Sequence, residues 1–139
     1  TRRMLKSERT AQASKIAIWQ KKKHEIVRAC VGNGSNLPIY DVAISYGVAY
    51  GAGEGYLKGA ENQIIIQKVP PGEWLAPDPK SPGSGMHTRL ALAICFRDAN
   101  GLFWLRDATG NLTEIKQHPF TFLEIEQPIT NWSTLSPKI

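Results

Sequence analysis

Large apolar side chains recur at every second position along residues 89–97. Leu90, Leu92, Ile94 and Phe96 fall on one side of an extended chain, and alanines and a cysteine fall on the other. Side chains point alternately to the two faces of a strand, whereas a helix would scatter these four residues around its circumference. The pattern therefore predicts a strand with one face in a core and a second face lined by small residues.

Two turns follow this strand and share the pattern Arg-Asp-Ala-x-Gly, which begins at Arg97 and again at Arg106. Asn and Gly accept the positive φ angles that tight hairpins need. The repeated pattern therefore predicts a three-stranded meander, whose second and third strands cover residues 102–106 and 112–115.

The acidic and amide residues of these turns, Asp98, Asn100 and Asp107, also suggest a calcium loop. Such a loop needs several more oxygen ligands and a closing Glu at fixed spacing, and these are missing here. Because Asp and Asn are the ordinary residues of tight turns, we interpret the three as turn residues and expect no metal site.

Alternation and β-branched residues predict further strands at residues 14–20, 25–32, 39–48, 62–69 and 120–125. The segments between them, including three lysines at residues 21–23 and the Gly-rich residues 47–59, are predicted as turns or loops. Short strands with closely spaced turn signals are typical of an all-β, immunoglobulin-like antiparallel β-sandwich of about seven strands. A small closed barrel is the alternative.

These patterns divide the chain into three predicted parts. Residues 1–13 are predicted as a short, basic, juxtamembrane-like helical arm, since they contain no Gly or Pro. Residues 14–126 form the sandwich, and residues 127–139 form a C-terminal tail that stays partly disordered unless Trp132 docks. There is no run of about 18 apolar residues that would predict a membrane-spanning helix.

The basic residues are concentrated at the N-terminus. Residues 1–23 hold eight basic residues and one acidic residue, a net charge of +7, whereas residues 24–139 hold nine basic and eleven acidic residues, a net charge of −2. Lys and Arg concentrate on the cytoplasmic side of membrane helices and are attracted to anionic lipids. The arm is interpreted as a juxtamembrane segment, with a solvated helical lead-in as one alternative. A nucleic-acid contact is the least favoured, because interleaved aromatics and a recognition motif are missing.

We expect this N-terminal segment to supply reversible affinity for anionic surfaces that weakens with salt. The residues expected to make these contacts are Arg2, Arg3, Lys6, Arg9, Lys21, Lys22 and Lys23.

The two cysteines, Cys30 and Cys95, both lie in strand patterns. Paired, they would resemble the inter-sheet disulfide of antibody domains, and unpaired they would be ordinary buried thiols. We favour the unpaired state, because neighbouring features indicate a reducing compartment.

No constellation of residues predicts catalysis. The three histidines share no metal-ligand spacing, and neither cysteine is predicted beside a positioned base. Asp41 lies within a predicted strand and is expected to pair with Arg28 or Arg97 in a structural role. We therefore expect no enzyme activity, no metal and no cofactor.

Aromatic residues in predicted loops are the candidate binding residues. Tyr50, Tyr56 and Trp74 are of the type that proteins favour at contact surfaces, although packing over the ends of the sandwich would explain them equally well. The sequence therefore predicts a non-catalytic protein-interaction or structural module, whose protein partner it does not identify. A small-ligand or carbohydrate-binding domain that uses these aromatics is the alternative.

Several short motifs are spread over residues 13–116. They are Asn33-Gly34-Ser35 with Pro38-Ile39-Tyr40-Asp41-Val42, Val69-Pro70-Pro71-Gly72, Phe96-Arg97-Asp98-Ala99-Asn100-Gly101, Trp104-Leu105-Arg106-Asp107 and Gly110-Asn111-Leu112-Thr113-Glu114. Together they resemble a domain family of uncharacterised actinobacterial proteins, in which the domain often follows a transmembrane helix and a basic juxtamembrane stretch. The resemblance implies an immunoglobulin-like β-sandwich on the cytoplasmic side of a membrane, with a soluble cytoplasmic protein as the alternative, and it implies no known activity.

Overall fold

Two antiparallel sheets form the protein in the computed structural model, which describes residues 5–23, 26–49, 58–77 and 89–138. The strands in chain order are β1 (Ile16–Lys23), β2 (Ile26–Asn33), β3 (Ile39–Ala49), β4 (Gln63–Val69), β5 (Gly72–Leu75), β6 (Arg89–Arg97), β7 (Phe103–Arg106), β8 (Leu112–Ile115) and β9 (Ser136–Pro137). The helices are α1 (Lys6–Thr10) and α2 (Pro119–Phe122), and 3₁₀ turns cover Ala13–Lys15 and Ala60–Asn62.

The strand order is that of an immunoglobulin-like sandwich. The four-stranded sheet has the order β1-β2-β5-β9, and the five-stranded sheet has the order β4-β3-β6-β7-β8. In immunoglobulin terms, β1, β2 and β5 take positions A, B and E, while β4, β3, β6 and β7 take positions C′, C, F and G. The predicted antiparallel sandwich is therefore confirmed. The barrel alternative is wrong, because the two sheets have separate edges.

Residues of six strands point into the core between the sheets. The larger of these side chains, all buried, include Ile16, Val31, Val42, Ile44, Tyr46, Ile64, Ile66, Leu92, Ile94, Phe96 and Trp104. Burial of one Ile or Leu side chain stabilises a protein by about 1.5–3 kcal/mol. A slip of one residue in the register of a strand would turn its share of this core toward the opposite face.

A second apolar cluster lies on the outer face of the five-stranded sheet. Ala93 and Cys95, the small residues that the sequence placed on the second face of β6, are buried there. Phe120, Leu123 and Ile125 cover them and are buried as well. The second face of β6 is therefore an internal surface, closed by the chain after β8.

The strand predicted at residues 120–125 is wrong, because this segment begins with the short helix α2. Nδ1 of His118 accepts a hydrogen bond from the Phe120 N–H at 3.1 Å and so caps the helix, and Pro119 begins it. One helical face then carries the apolar residues onto the sheet.

The C-terminal residues cross from the five-stranded to the four-stranded sheet. The Ser133 N–H donates to the Ile65 carbonyl of β4 at 2.7 Å, and β9 pairs with β5. Trp132 is 39% exposed, and its ring centroid lies 5.8 Å from that of Phe120. Ile129 and Leu135 pack against the two apolar clusters, whereas Trp132 contacts Phe120 but stays exposed.

Two further segments that were predicted as turn or loop are parts of strands. β1 continues through Lys21–Lys23, with Lys21 opposite Arg28, since lysines are well tolerated on an edge strand. Trp74 lies on β5, opposite Val31. The two prolines after Val69 end β4, but they do not prevent a new strand from starting at once.

The two Arg-Asp-Ala-x-Gly turns share one set of hydrogen bonds. In each turn the aspartate Oδ1 accepts from the backbone N–H groups two and four residues later, at 2.9–3.0 Å. Gly101 and Gly110 have φ angles of +84° and +92°, a region that favours glycine. The turn interpretation of Asp98 and Asp107 is therefore confirmed. Among the described residues, no group of three or more His, Cys, Asp or Glu side chains is placed to hold a metal.

The predicted N-terminal helix is confirmed, and the residues after it are tied to the sandwich. Gln12 bridges two loops, since its Nε2 donates to the Pro38 carbonyl at 3.0 Å and its Oε1 accepts from the Ala99 N–H at 2.7 Å. Nε of Arg106 donates to the Ile16 carbonyl at 2.7 Å. In the described ranges, neither helix is long and apolar enough to span a membrane.

Cys30 and Cys95 are free and buried, as predicted. Ala29 and Val31 point into the core, so Cys30 points outward from the four-stranded sheet, whereas Cys95 lies in the cluster outside the five-stranded sheet. The whole sandwich separates the two thiols. An inter-sheet disulfide is excluded, because it needs Cα atoms within about 7 Å and Cβ atoms that point toward each other.

Candidate interaction surface

The two sheets differ in what covers their outer faces. α2 and the residues after it pack on the five-stranded sheet, whereas neither described helix packs on the outer face of the four-stranded sheet. We call this second surface the Trp19 face. Its residues are Ala17, Trp19, Lys21, Arg28, Cys30, Gly32, Glu73 and Leu75, together with Lys138 beside them.

An apolar ridge crosses the middle of the Trp19 face. Trp19 of β1 lies opposite Cys30 of β2, which in turn lies opposite Leu75 of β5. Directly opposed residues share a face and lie about 5 Å apart. Cys30 is fully buried, while Trp19 and Leu75 are partly exposed. The ridge therefore presents apolar surface of Trp19 on β1 and Leu75 on β5, on either side of the buried Cys30.

The ring of Trp19 is held in a fixed position. A Cβ atom on Gly32 would lie 2.9 Å from Cζ3 of the ring, so the indole rests directly on the backbone of β2. Nζ of Lys138 lies 5.2 Å from the ring centroid and 3.3 Å from Oε1 of Glu73. Such a cation over an aromatic ring adds a modest stabilisation. The aromatic is thus preorganised.

Basic side chains surround the ridge. Lys21 and Arg28 lie opposite each other beyond Trp19, and Nε of Arg28 donates to the Ala76 carbonyl at 2.8 Å. Among the described residues of this face Glu73 is the acidic one, and Lys138 pairs with it. The face therefore combines an apolar centre with a positive rim.

The predicted aromatic binding residues do not form a site in the described part of the chain. Tyr50 and Tyr56 lie outside the described residues. Trp74 packs against the core, and its Nε1 donates to the Pro70 carbonyl at 3.0 Å. Trp74 also lines an open groove of about 300 Å³ between β4 and the C-terminal residues, with Lys68 on its wall.

The predicted anionic-surface residues are divided between two places. Arg2 and Arg3 lie outside the described residues. Lys6 is exposed on α1, and Arg9 is bonded to Glu114 of β8 through Nε at 3.1 Å and through Nη2.

The remaining members of this set, Lys21, Lys22 and Lys23, lie at the far end of β1, and Lys21 belongs to the Trp19 face. β1 is about 23 Å long at roughly 3.3 Å per residue. The strand thus separates these lysines from the N-terminal helix.

A half-exposed ionic cluster lies on the outer face of the five-stranded sheet. Asp41 has a φ of +49° beside a bulge of β3, and its Oδ2 accepts from Nε of Arg97 at 3.1 Å and from Nε2 of His118 at 3.0 Å. Arg97 also lies over the Tyr40 ring, 4.7 Å from its centroid. The predicted pair of Asp41 with Arg97 is confirmed. Both ring nitrogens of His118 are engaged in hydrogen bonds within the protein.

The thiols are poor nucleophiles. Burial raises the pKa of the Cys95 thiol to about 12, and a hydrogen bond with the Phe96 backbone offsets this only in part. Burial also raises the pKa of Cys30. Since the thiolate is the reactive form, both environments oppose nucleophilic chemistry.

The sequence reasoning missed Trp19 and Leu75 as surface residues. The alternation of Ile18 with Trp19 was visible, but the outward direction of Trp19 depends on the register of β1 with β2. No family model, curated protein or solved structure matches this chain.

Proposed function

We propose that this protein is a non-catalytic protein-interaction module that binds its partner through the Trp19 face. The observation that carries the proposal is the partly exposed apolar ridge of Trp19 and Leu75, on the one outer sheet face that the described helices leave uncovered. Immunoglobulin-like sandwiches are scaffolds whose function depends on their surfaces.

The make-up of the Trp19 face fits a protein contact. Interface hot spots are enriched in Trp and Arg and combine a desolvated centre with a polar rim. Trp19 already rests on Gly32, so little rotational freedom is lost when a partner covers it. The rim of Lys21 and Arg28 favours a partner surface that carries carboxylates around an apolar side chain.

The alternative, a small-ligand or carbohydrate site built on loop aromatics, has less support. Trp74, the residue of that set within the described ranges, uses its indole N–H internally and packs against the core. Catalysis has less support still, since both His118 nitrogens are bonded and burial raises the pKa of both thiols.

Site-specific photo-crosslinking tests the proposal. A photoreactive amino acid at Leu75, in the cells that naturally make the protein, should crosslink to one protein partner. The same amino acid at the exposed Thr113 of β8, on the other sheet, is the matched control and should not. The purified partner should then bind Trp19→Ala or Lys21→Glu at least tenfold more weakly, the loss typical of a hot spot. Thr113→Ala should bind unchanged.

Two outcomes would contradict this assignment. One is an equal crosslink from Leu75 and Thr113. The other is unchanged affinity of the folded Trp19→Ala and Lys21→Glu variants, with circular dichroism as the check on folding. A crosslink from Leu75 to lipid alone would replace the protein partner with a membrane surface.

We further propose that the domain works at the cytoplasmic side of a membrane, as part of a membrane-anchored protein. The net charge of +7 in residues 1–23 supports this placement, because each basic residue near an anionic surface contributes about 1 kcal/mol. Three of these charges, Lys21–Lys23, are consecutive at one end of β1.

Co-sedimentation with phosphatidylserine vesicles tests this second proposal. The chain should bind at low salt and less at physiological salt, because salt screens the attraction. Changing Lys21, Lys22 and Lys23 to Gln should weaken binding more than tenfold, the effect of losing roughly 1 kcal/mol at each position. The matched control changes Lys58, Lys68 and Lys116 to Gln, with the same loss of charge. Equal losses in the two variants would show that only net charge matters and would reject the placement.

A further inference from the structure

His118 connects the ionic cluster at Asp41 with the segment that covers the five-stranded sheet. Its Nε2 lies 3.0 Å from Oδ2 of Asp41 on β3, and its Nδ1 lies 3.1 Å from the Phe120 backbone nitrogen. The side chain is 32% exposed, so solvent protons reach it. One imidazole ring thus holds the start of α2 against the sheet.

The two hydrogen bonds specify a neutral ring with its proton on Nε2. A backbone N–H only donates, so Nδ1 must accept from Phe120 through a lone pair. Nε2 then carries the proton and donates to Asp41. A second proton would have to bind at Nδ1, where it would face the Phe120 N–H. Protonation therefore removes the acceptor that caps α2.

The other groups around the ring decide which of its bonds is given up. Asp41 faces it from β3, Arg97 of β6 shares the Asp41 carboxylate, and the Phe103 ring of β7 lies 5.5 Å away. Tyr40 is the further titratable group of the cluster, and it lies against Arg97. The Asp41 carboxylate attracts an imidazolium more strongly than a neutral ring. The charged ring is thus retained by Asp41 and loses its bond to Phe120.

The segment that begins at His118 closes the outer cluster. The Phe122 N–H donates to the His118 carbonyl at 2.9 Å, and Phe120 and Leu123 lie over Cys95. α2 has four residues, and so short a helix depends on its cap and its packing, because helix nucleation is unfavourable. Loss of the cap therefore destabilises the segment that covers this cluster.

We propose that His118 is a pH-sensitive latch, which holds residues 118–125 on the outer face of the five-stranded sheet when neutral and loosens them when protonated. Histidine is the side chain that changes charge between about pH 5 and pH 8. Protonation of His118 then exposes apolar surface around Cys95. This inference is independent of the Trp19 face, since it concerns the opposite sheet.

His118→Asn is the variant that isolates the latch. Asn is among the best N-cap residues, and it does not titrate, so the variant keeps an acceptor at the cap at every pH. Amide hydrogen exchange of Leu123 and Ile125 is measured in the wild type and the variant at about pH 8 and about pH 5. The ratio of the two proteins at one pH cancels the intrinsic dependence of exchange on pH.

The ratio of wild-type to variant exchange should be near one at the higher pH. It should rise about fivefold at the lower pH, the population change that corresponds to losing one N-cap. Labelling of Cys95 by a disulfide reagent that reacts in acid should rise in parallel, followed by mass spectrometry. A ratio that does not change with pH overturns the proposal, and so does an equal rise in both proteins.

A measurement on the wild type alone keeps the test valid if His118→Asn does not fold. In a proton NMR titration, the Phe120 amide shift should follow the same curve as the ring protons of His118, because the two groups share one bond. A Phe120 amide that stays constant while His118 titrates would overturn the latch.

Discussion

Asp98→Ala is expected to lower the free energy of unfolding by about 4 kcal/mol. The Asp98 side chain is 0% exposed. Oδ1 accepts from the N–H groups of Asn100 and Leu102, each at 2.9 Å, and Oδ2 accepts from Nε1 of Trp104 at 2.9 Å. Asn100 is exposed, so water replaces the acceptor of its N–H group. The buried indole of Trp104 and the partly buried N–H of Leu102 are left without a partner, and each such group costs about 1–3 kcal/mol. A typical domain has only about 5–15 kcal/mol of stability.

The protein contains its own matched control for this substitution. Asp107 occupies the same position in the second Arg-Asp-Ala-x-Gly turn, and its Oδ1 accepts from the N–H groups of Thr109 and Asn111. Because Thr109 and Asn111 are exposed, water replaces the lost acceptor. Asp107→Ala should therefore lower the free energy of unfolding by only about 1 kcal/mol. Urea unfolding of both variants gives the comparison. Equal losses would show that the turn, and not the buried bond to Trp104, determines the effect.

Leu123→Ala should lower the free energy of unfolding by about 3 kcal/mol. Truncation of a buried leucine to alanine usually lowers it by about 2–5 kcal/mol. Leu123 is 0% exposed and lies with Phe120 and Ile125 over Ala43 and Cys95. Truncation leaves a cavity that the flat surface of small side chains does not fill, because alanines on β3 and β6 have no atoms to move into it. Urea unfolding measures the loss, and faster labelling of Cys95 should accompany it.

Thr121→Ala is the control in the same helix. Thr121 is exposed, and exposed substitutions usually change stability by less than about 0.5 kcal/mol. If Leu123→Ala costs no more than Thr121→Ala, the chain after β8 does not form part of the folded core.

The alternation of side chains predicted a strand correctly where one face carries large residues and the other carries small ones. In β6, the large residues Leu92, Ile94 and Phe96 face the core and the small residues Ala93 and Cys95 face outward, as predicted. A period of two is a property of the extended backbone itself, so it holds without knowledge of the neighbours.

Alternation was misleading in short segments. Residues 120–125 contain apolar side chains at positions that fit both a strand and one face of a helix. A segment of only six residues is too short for the spacing of its apolar residues to distinguish the two. The cap from His118 and the covering role of Leu123 decide for the helix. Lys21 was assigned to a turn because of its charge, but an edge strand has a solvated side on which lysine is acceptable.

The candidate sites depended on contacts between distant parts of the chain. Asp41 and His118 are 77 residues apart in sequence, and no local pattern connects them. The ridge of Trp19 and Leu75 exists because β1 and β5 pair with β2 in one register, and Gly32 admits the indole ring.

By itself the sequence determined the class of fold, most of the strands and the two tight turns, since these follow from backbone periodicity and from residues that accept a particular φ angle. Tertiary structure decided which face of each strand is internal, which turn carboxyl is buried and which outer sheet face the described helices leave uncovered. Those properties depend on strand register and on the path of the chain after β8. Both are set by packing between residues far apart in sequence, where local preferences carry little information.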